Sequence, residues 1–196
     1  MIGQTMFQEY ITSQELDELP LKAFEGEIVV VDHISKLESA VNDLSKEKMI
    51  GFDTETKPSF KRGQINDAAL MQLATGKKAF LFRLNKIGLP ESLKKVLSSP
   101  KILKVGVAIH DDIKGLQRIS RFTPAGFVEL QHEVKDYGIN DFSLKKIAGI
   151  VLGVRISKSQ RLTNWESDAL TEAQQCYAAT DAWISYKIYH SLSTSP

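Results

Sequence analysis

The stretch Met49-Ile50-Gly51-Phe52-Asp53-Thr54-Glu55-Thr56 constrains the fold more than any other, because it reads as a buried β-strand that nonetheless carries two carboxylates. Side chains alternate along a strand, so Asp53 and Glu55 emerge on one face with Thr54 opposite. An unpaired carboxylate beside an apolar core is costly. Two further segments repeat the pattern. Lys104-Val105-Gly106-Val107-Ala108-Ile109-His110-Asp111-Asp112 is an apolar run ending in acids. Tyr177-Ala178-Ala179-Thr180-Asp181 places Tyr177 and Asp181 four residues apart on one helix face, close to Ala173, Ile184 and Ile188. Carboxylates gathered from three separated segments repel one another unless positive charge lies between them. A pair of divalent cations is the simplest remedy. Such a pair activates a water and stabilises the leaving 3′ oxygen when a phosphodiester is hydrolysed. All-oxygen ligands suit Mg²⁺ or Mn²⁺, and the absence of a His/Cys cluster argues against zinc.

The rest of the chain reads as alternating helices and strands. Ser35-Lys36-Leu37-Glu38 has the form of a capping box, followed by the helical stripe Leu37, Ala40, Val41 and Leu44. Ala69 to Thr75 and Lys78 to Leu84 are β-like runs around the turn Gly76-Lys77. Pro90 opens a short helix carrying Leu93, Val96 and Leu97. Lys101 to Ala108 is a further strand, with a helix from about Asp111 or Asp112, and Phe127 to Leu130 is a short strand. Leu144, Ile147, Ala148, Val151 and Leu152 mark a helix that stops at Gly153. Thr171-Glu172-Ala173-Gln174 is a second capping box and starts the helix of Tyr177 and Asp181. This order predicts an α/β sheet covered on both faces.

At 196 residues the chain fits one domain with a full core. Residues 1–25 carry the weakest pattern and read as a loosely docked extension, leaving 26–196 as the domain proper. The single cysteine, Cys176, excludes an internal disulfide. No apolar run approaches membrane-spanning length and no secretory leader is evident, so the expected location is cytoplasmic. The net charge of +1 hides an uneven division, with −7 in residues 1–47 and +8 beyond. Between Phe142 and Trp165 lie five basic residues and no acid. Lys158 and Arg161 in that segment are candidate contacts for a polyanion, against the plainer reading of a solvated surface. In the loop after Glu55, Phe60 either stacks a terminal base or anchors its own loop.

Taken together, the three acidic segments resemble, in order, the three motifs of the DEDDy 3′-5′ exonucleases, the group that includes Werner-type exonuclease domains and ribonuclease D. The resemblance runs from about Glu27 to Leu192. It extends to Arg62-Gly63, Ala69-Leu70-Met71-Gln72-Leu73, Lys104-Val105-Gly106, Asn164-Trp165 and Leu170-Thr171-Glu172-Ala173-Gln174. It implies an RNase H-like (DnaQ-like) fold and removal of nucleotides from a nucleic-acid 3′ end with two metal ions. Carried across, Asp53, Glu55 and Asp181 ligate metal, Asp112 serves the second ion, and Tyr177 positions the attacking water. The family spacing selects Asp112 over Asp111, which is left as a helix cap. The sister class has a histidine where this chain has Cys176. Thr56, Arg62 and Trp165 join the candidate nucleic-acid contacts, Trp165 with the alternative of bracing the last helix. The Werner-type likeness tilts the expected substrate toward DNA. The alternatives are RNA 3′-end processing of the ribonuclease D kind, or a nucleic-acid-binding module without catalysis.

Overall fold

In a computed structural model describing residues 7–59, 63 and 66–194, the strand that carries Asp53 and Glu55 lies inside a six-stranded mixed sheet. The strands are β1 (Glu27–Val31), β2 (Met49–Thr56), β3 (Ala68–Ala74), β4 (Lys78–Phe82), β5 (Leu103–Gly106) and β6 (Phe127–Glu129), in the order β1-β4-β3-β2-β5-β6. β2, β3 and β4 run antiparallel in succession, while β1 joins β4 and β5 joins β2 in parallel, with β6 parallel to β5. Helices cover both faces: α1 (Ser13–Glu18), α2 (Leu37–Leu44), α3 (Leu84–Ile87), α4 (Glu91–Leu97), α5 (Ile109–Ile119), α6 (Leu130–Glu133), α7 (Leu144–Leu152) and α8 (Glu172–Thr194). The mixed sheet with helices on both sides is the RNase H-like architecture that the motifs imply. No helix among the described residues is long and apolar enough to cross a membrane.

The alternation along β2 sorts the two faces. Ile50 and Phe52 point into a dry core with Leu37, Val41 and Leu44 of α2, Leu93, Val96 and Leu97 of α4, and Leu116 of α5. Gly51 points the other way, toward α8. A Cβ at Gly51 would sit 1.8 Å from the Ala182 carbonyl oxygen, so strand and helix meet main chain against main chain. That approach sets Asp53 and Glu55, on the same face as Gly51, opposite the side chains of α8.

Several ends differ from the sequence reading. The expected box at Ser35 does not form: Ile34–Lys36 is a 3-10 turn with the His33 side chain accepting from the Ser35 N–H, and α2 begins without a side-chain cap. The box at Thr171 does form, with reciprocal bonds of 3.2 and 3.0 Å between Thr171 and Gln174. α5 starts at Ile109, two to three residues before the expected start. Residues 7–25 are firmly attached. Ile11, Leu16 and Phe24 are buried, the Ile11 N–H donates to Asp141 at 2.9 Å, and the Phe24 N–H donates to the Thr180 hydroxyl at 2.9 Å.

Candidate active site

The carboxylates of Asp53, Glu55 and Asp181 converge where β2 meets α8. Each offers a ligand oxygen, and these oxygens all lie within 4.8 Å of one another. Desolvation by burial, then the neighbouring acids, with Asp181 foremost, drive the Asp53 carboxyl well above its ordinary pKa and that of Glu55 up to about 8. Burial also raises Asp181, against the opposing charge of Lys158. One Asp181 oxygen, Oδ1, is buried without a hydrogen-bond partner. Three oxygen donors, crowded and short of positive charge, with an orphaned lone pair among them, fit a hard divalent cation.

Asp112 approaches from the opposite side of β2. It lies in the first turn of α5 and accepts a hydrogen bond from the hydroxyl of Thr54, the residue between the two strand carboxylates. Burial lifts its carboxyl to about 6, although the Thr54 bond works in the other direction. Asp112 is near enough to raise Asp53 and Glu55, yet it stands outside the cluster of three. The α5 terminus is shaped by a residue that motif spacing does not reveal. Glu129, at the end of β6, accepts the N–H groups of Ala108 and Ile109, each at 2.9 Å. Ala108 adopts a left-handed conformation (φ 58°), unfavourable for a residue with a Cβ, at the turn that swings α5 toward Asp112. The cap role expected of Asp111 is therefore filled by Glu129. Asp111 is 92% exposed and lies 3.7 Å from Lys114.

Tyr177 faces the cluster from one helical turn before Asp181. Desolvation first, then the charges of Asp181, Glu55 and Asp53, push its phenol above the ordinary value, so it stays protonated. The expected nucleic-acid contacts divide. Trp165 is fully buried with its ring 5.9 Å from that of Tyr177, so it braces the tyrosine and has no face to offer a base. Its loop is tied down by Lys57 to Glu166 at 3.1 Å and by Gln174 to Thr163 at 3.0 Å. Lys158, a candidate contact for a polyanion, pairs with Asp181 at 2.9 Å and lies 5.5 Å from the centre of the Tyr177 ring. Arg161 and Thr56 are exposed, and Arg161 is close enough to favour ionised Glu55. Phe60 and Arg62 lie outside the described residues.

Thr54 and Gln72 also shape the site. Thr54 lies opposite the acids, as strand alternation predicts, and so reaches Asp112 of α5. Gln72 pairs in register with Asp53, and its buried amide has no hydrogen-bond partner on either atom. The register of β3 against β2 puts it on the acidic face, which the uniformly buried β3 does not reveal by its own alternation.

Residues 28–195 match the family described as 3′-5′ exonuclease. The bifunctional 3′-5′ exonuclease/ATP-dependent helicase WRN of Mus musculus is 33% identical over 186 residues, which is 90% of this chain but only 13% of that protein. Among solved structures, the Nibbler EXO domain of Aedes aegypti superposes with a TM-score of 0.76 at 23% identity, over 88% of this chain and 91% of that one. Escherichia coli RNase D, an exoribonuclease involved in structured RNA processing, gives 0.75 at 24% identity, over 85% of this chain and 44% of that one.

Proposed function

The chain belongs to the DEDDy 3′-5′ exonuclease family, and on that premise we propose that it shortens nucleic acid from the 3′ end, preferentially RNA, by two-metal-ion hydrolysis. The observation that carries the reading is the convergence of Asp53, Glu55 and Asp181 under Tyr177. When bound, Mg²⁺ or Mn²⁺ supplies the charge that acidifies a water and neutralises the departing 3′ oxygen. Asp53, Glu55 and Asp181 would hold the first ion, and Asp112, steadied by Thr54, is the carboxylate available to the second. Tyr177 is too weak an acid, in this setting, to act as an ionised base. Its O–H serves to orient the water, and Trp165 keeps the ring from turning away. Tyr177 is also 6% exposed, which limits bulk water on that side of the cluster.

The preference for RNA departs from the DNA expected from the Werner-type likeness. Its support is the likeness in fold to RNase D, whose own work is on structured RNA. Digestion of matched 5′-labelled RNA and DNA oligonucleotides, with Mg²⁺, Mn²⁺ or EDTA, tests the polarity, the substrate preference and the need for metal. The expected result is a ladder shrinking from the 3′ end, faster on RNA and absent in EDTA. Faster cutting of DNA would restore the first substrate expectation, and a ladder in EDTA would reject the metal mechanism.

A further inference from the structure

The cluster of three carboxylates already has a cation attached to it. Lys158 reaches in from the loop between α7 and α8 and places its ammonium 2.9 Å from Asp181 Oδ2. The same ammonium lies over the Tyr177 ring, so it sits between the residue proposed to ligate metal and the one proposed to aim the water. The two partners are unequal. The Asp181 side chain is 4% exposed and fixed on a long helix, whereas that of Lys158 is 36% exposed on a loop. Lysine can leave without disturbing the core; the aspartate cannot. A divalent ion bound to the same carboxylate would bring two positive groups close together, and that repulsion is strong where water is scarce.

We propose that Lys158 is a displaceable resident cation, which holds Asp181 in place until metal loads and is then expelled, freeing its ammonium for a phosphate of the substrate. The inference rests on the metal-binding reading of the site and adds an exchange between metal and lysine. Metal and nucleic acid thereby become coupled. The ion pays for the release of Lys158, and the released charge strengthens the grip on the strand, so each ligand raises the affinity for the other.

The test is Mn²⁺ titration by calorimetry of the wild-type chain, Lys158→Met and Lys158→Arg. Removing the competitor should tighten Mn²⁺ binding by up to about fivefold in Lys158→Met, the order expected for loss of one partly exposed ion pair, and should enlarge the Mn²⁺-induced rise in Tm. Lys158→Arg keeps the charge and should bind Mn²⁺ like the wild type. Oligonucleotide affinity should rise on adding Ca²⁺ in the wild-type chain and rise much less in Lys158→Met. Equal or weaker Mn²⁺ binding by Lys158→Met overturns the inference while leaving the metal site standing. Failure of all three proteins to bind Mn²⁺ overturns the metal reading itself, and the inference with it.

Discussion

On the side of the sheet covered by α2, α4 and α5, β2 presents Ile50 and Phe52 to a core of packed aliphatic and aromatic side chains. On the α8 side the same strand presents Gly51, Asp53 and Glu55, and the neighbouring polar atoms of Gln72, Trp165 and Asp181 Oδ1 lack hydrogen-bond partners. One face gains stability from nearly every residue it buries. On the other, the packing of Leu70, Leu81, Trp165 and Tyr177 surrounds a site of like charges and orphaned polar groups, each of which costs stability. The contrast teaches that the site is maintained by the rest of the fold and does not maintain it.

Substitution in the acidic site and in the dry core should therefore have opposite effects on stability, and this is the sharpest way to break the contrast. Asp53→Asn should reduce cleavage to background while raising the metal-free Tm at about pH 8, since it removes one of the crowded carboxylates. Leu93→Ala, at a fully buried position on the dry face, should cost about 2–5 kcal/mol and leave kcat of the folded protein unchanged. Urea melts beside single-turnover assays measure both. A destabilised Asp53→Asn would mean that the acidic face contributes to folding after all.

Tyr177→Phe keeps the contact with Trp165 and loses only the hydroxyl. It should lower kcat by roughly 10²-fold with little change in KM or Tm, as for a bond made mainly in the transition state. Loss of stability without loss of kcat would move Tyr177 to the structural side of the comparison.

A milder effect concerns pH. Glu55 and Asp112 have carboxyls raised to about 8 and about 6 in the folded chain. A raised carboxyl binds its proton more tightly when folded, so its stabilising contribution is full below the unfolded value and is lost as pH rises through the folded one. The metal-free chain should accordingly lose Tm between about pH 5 and about pH 8. Saturating Mg²⁺ should offset the loss at the upper end, and a Tm unresponsive to Mg²⁺ at about pH 8 would contradict the linkage.

The smallest expected effect is Ala108→Gly. Glycine relieves the left-handed strain but adds freedom to the unfolded chain, leaving a net gain of about 1 kcal/mol or less in urea unfolding. A loss would show that the Ala108 methyl group packs more usefully than its exposed position suggests.

What could be read beforehand follows from the range of each interaction. The positions of β2, of the Gly76-Lys77 hairpin, of α7 ending at Gly153 and of the Thr171 box depend on neighbours a few residues apart, and all were legible. The convergence of Asp53, Glu55 and Asp181 was also legible, because motif order carries long-range information that periodicity lacks. Local pattern failed wherever a distant residue decided the outcome. Glu129 moves the start of α5 and displaces Asp111 as its cap. Tyr177 takes up the face of Trp165, and Asp181 captures Lys158. The acidic, weakly patterned segment before Gly26 is held by buried Ile11, Leu16 and Phe24 and by N–H bonds to the distant Asp141 and Thr180 side chains, partners that local periodicity does not reveal.

The glycine at position 51 has a mechanical consequence. Because β2 and α8 touch through their main chains, with no side chain between Gly51 and the Ala182 carbonyl, no rotamer can lengthen or shorten the gap there. Asp53 is two residues from one side of this joint and Asp181 one residue from the other. Sequence drift in the aliphatic layer across the sheet would therefore carry strand and helix together as one body. The spacing of the acids is gauged by backbone thickness, a dimension that substitution elsewhere in the chain leaves alone.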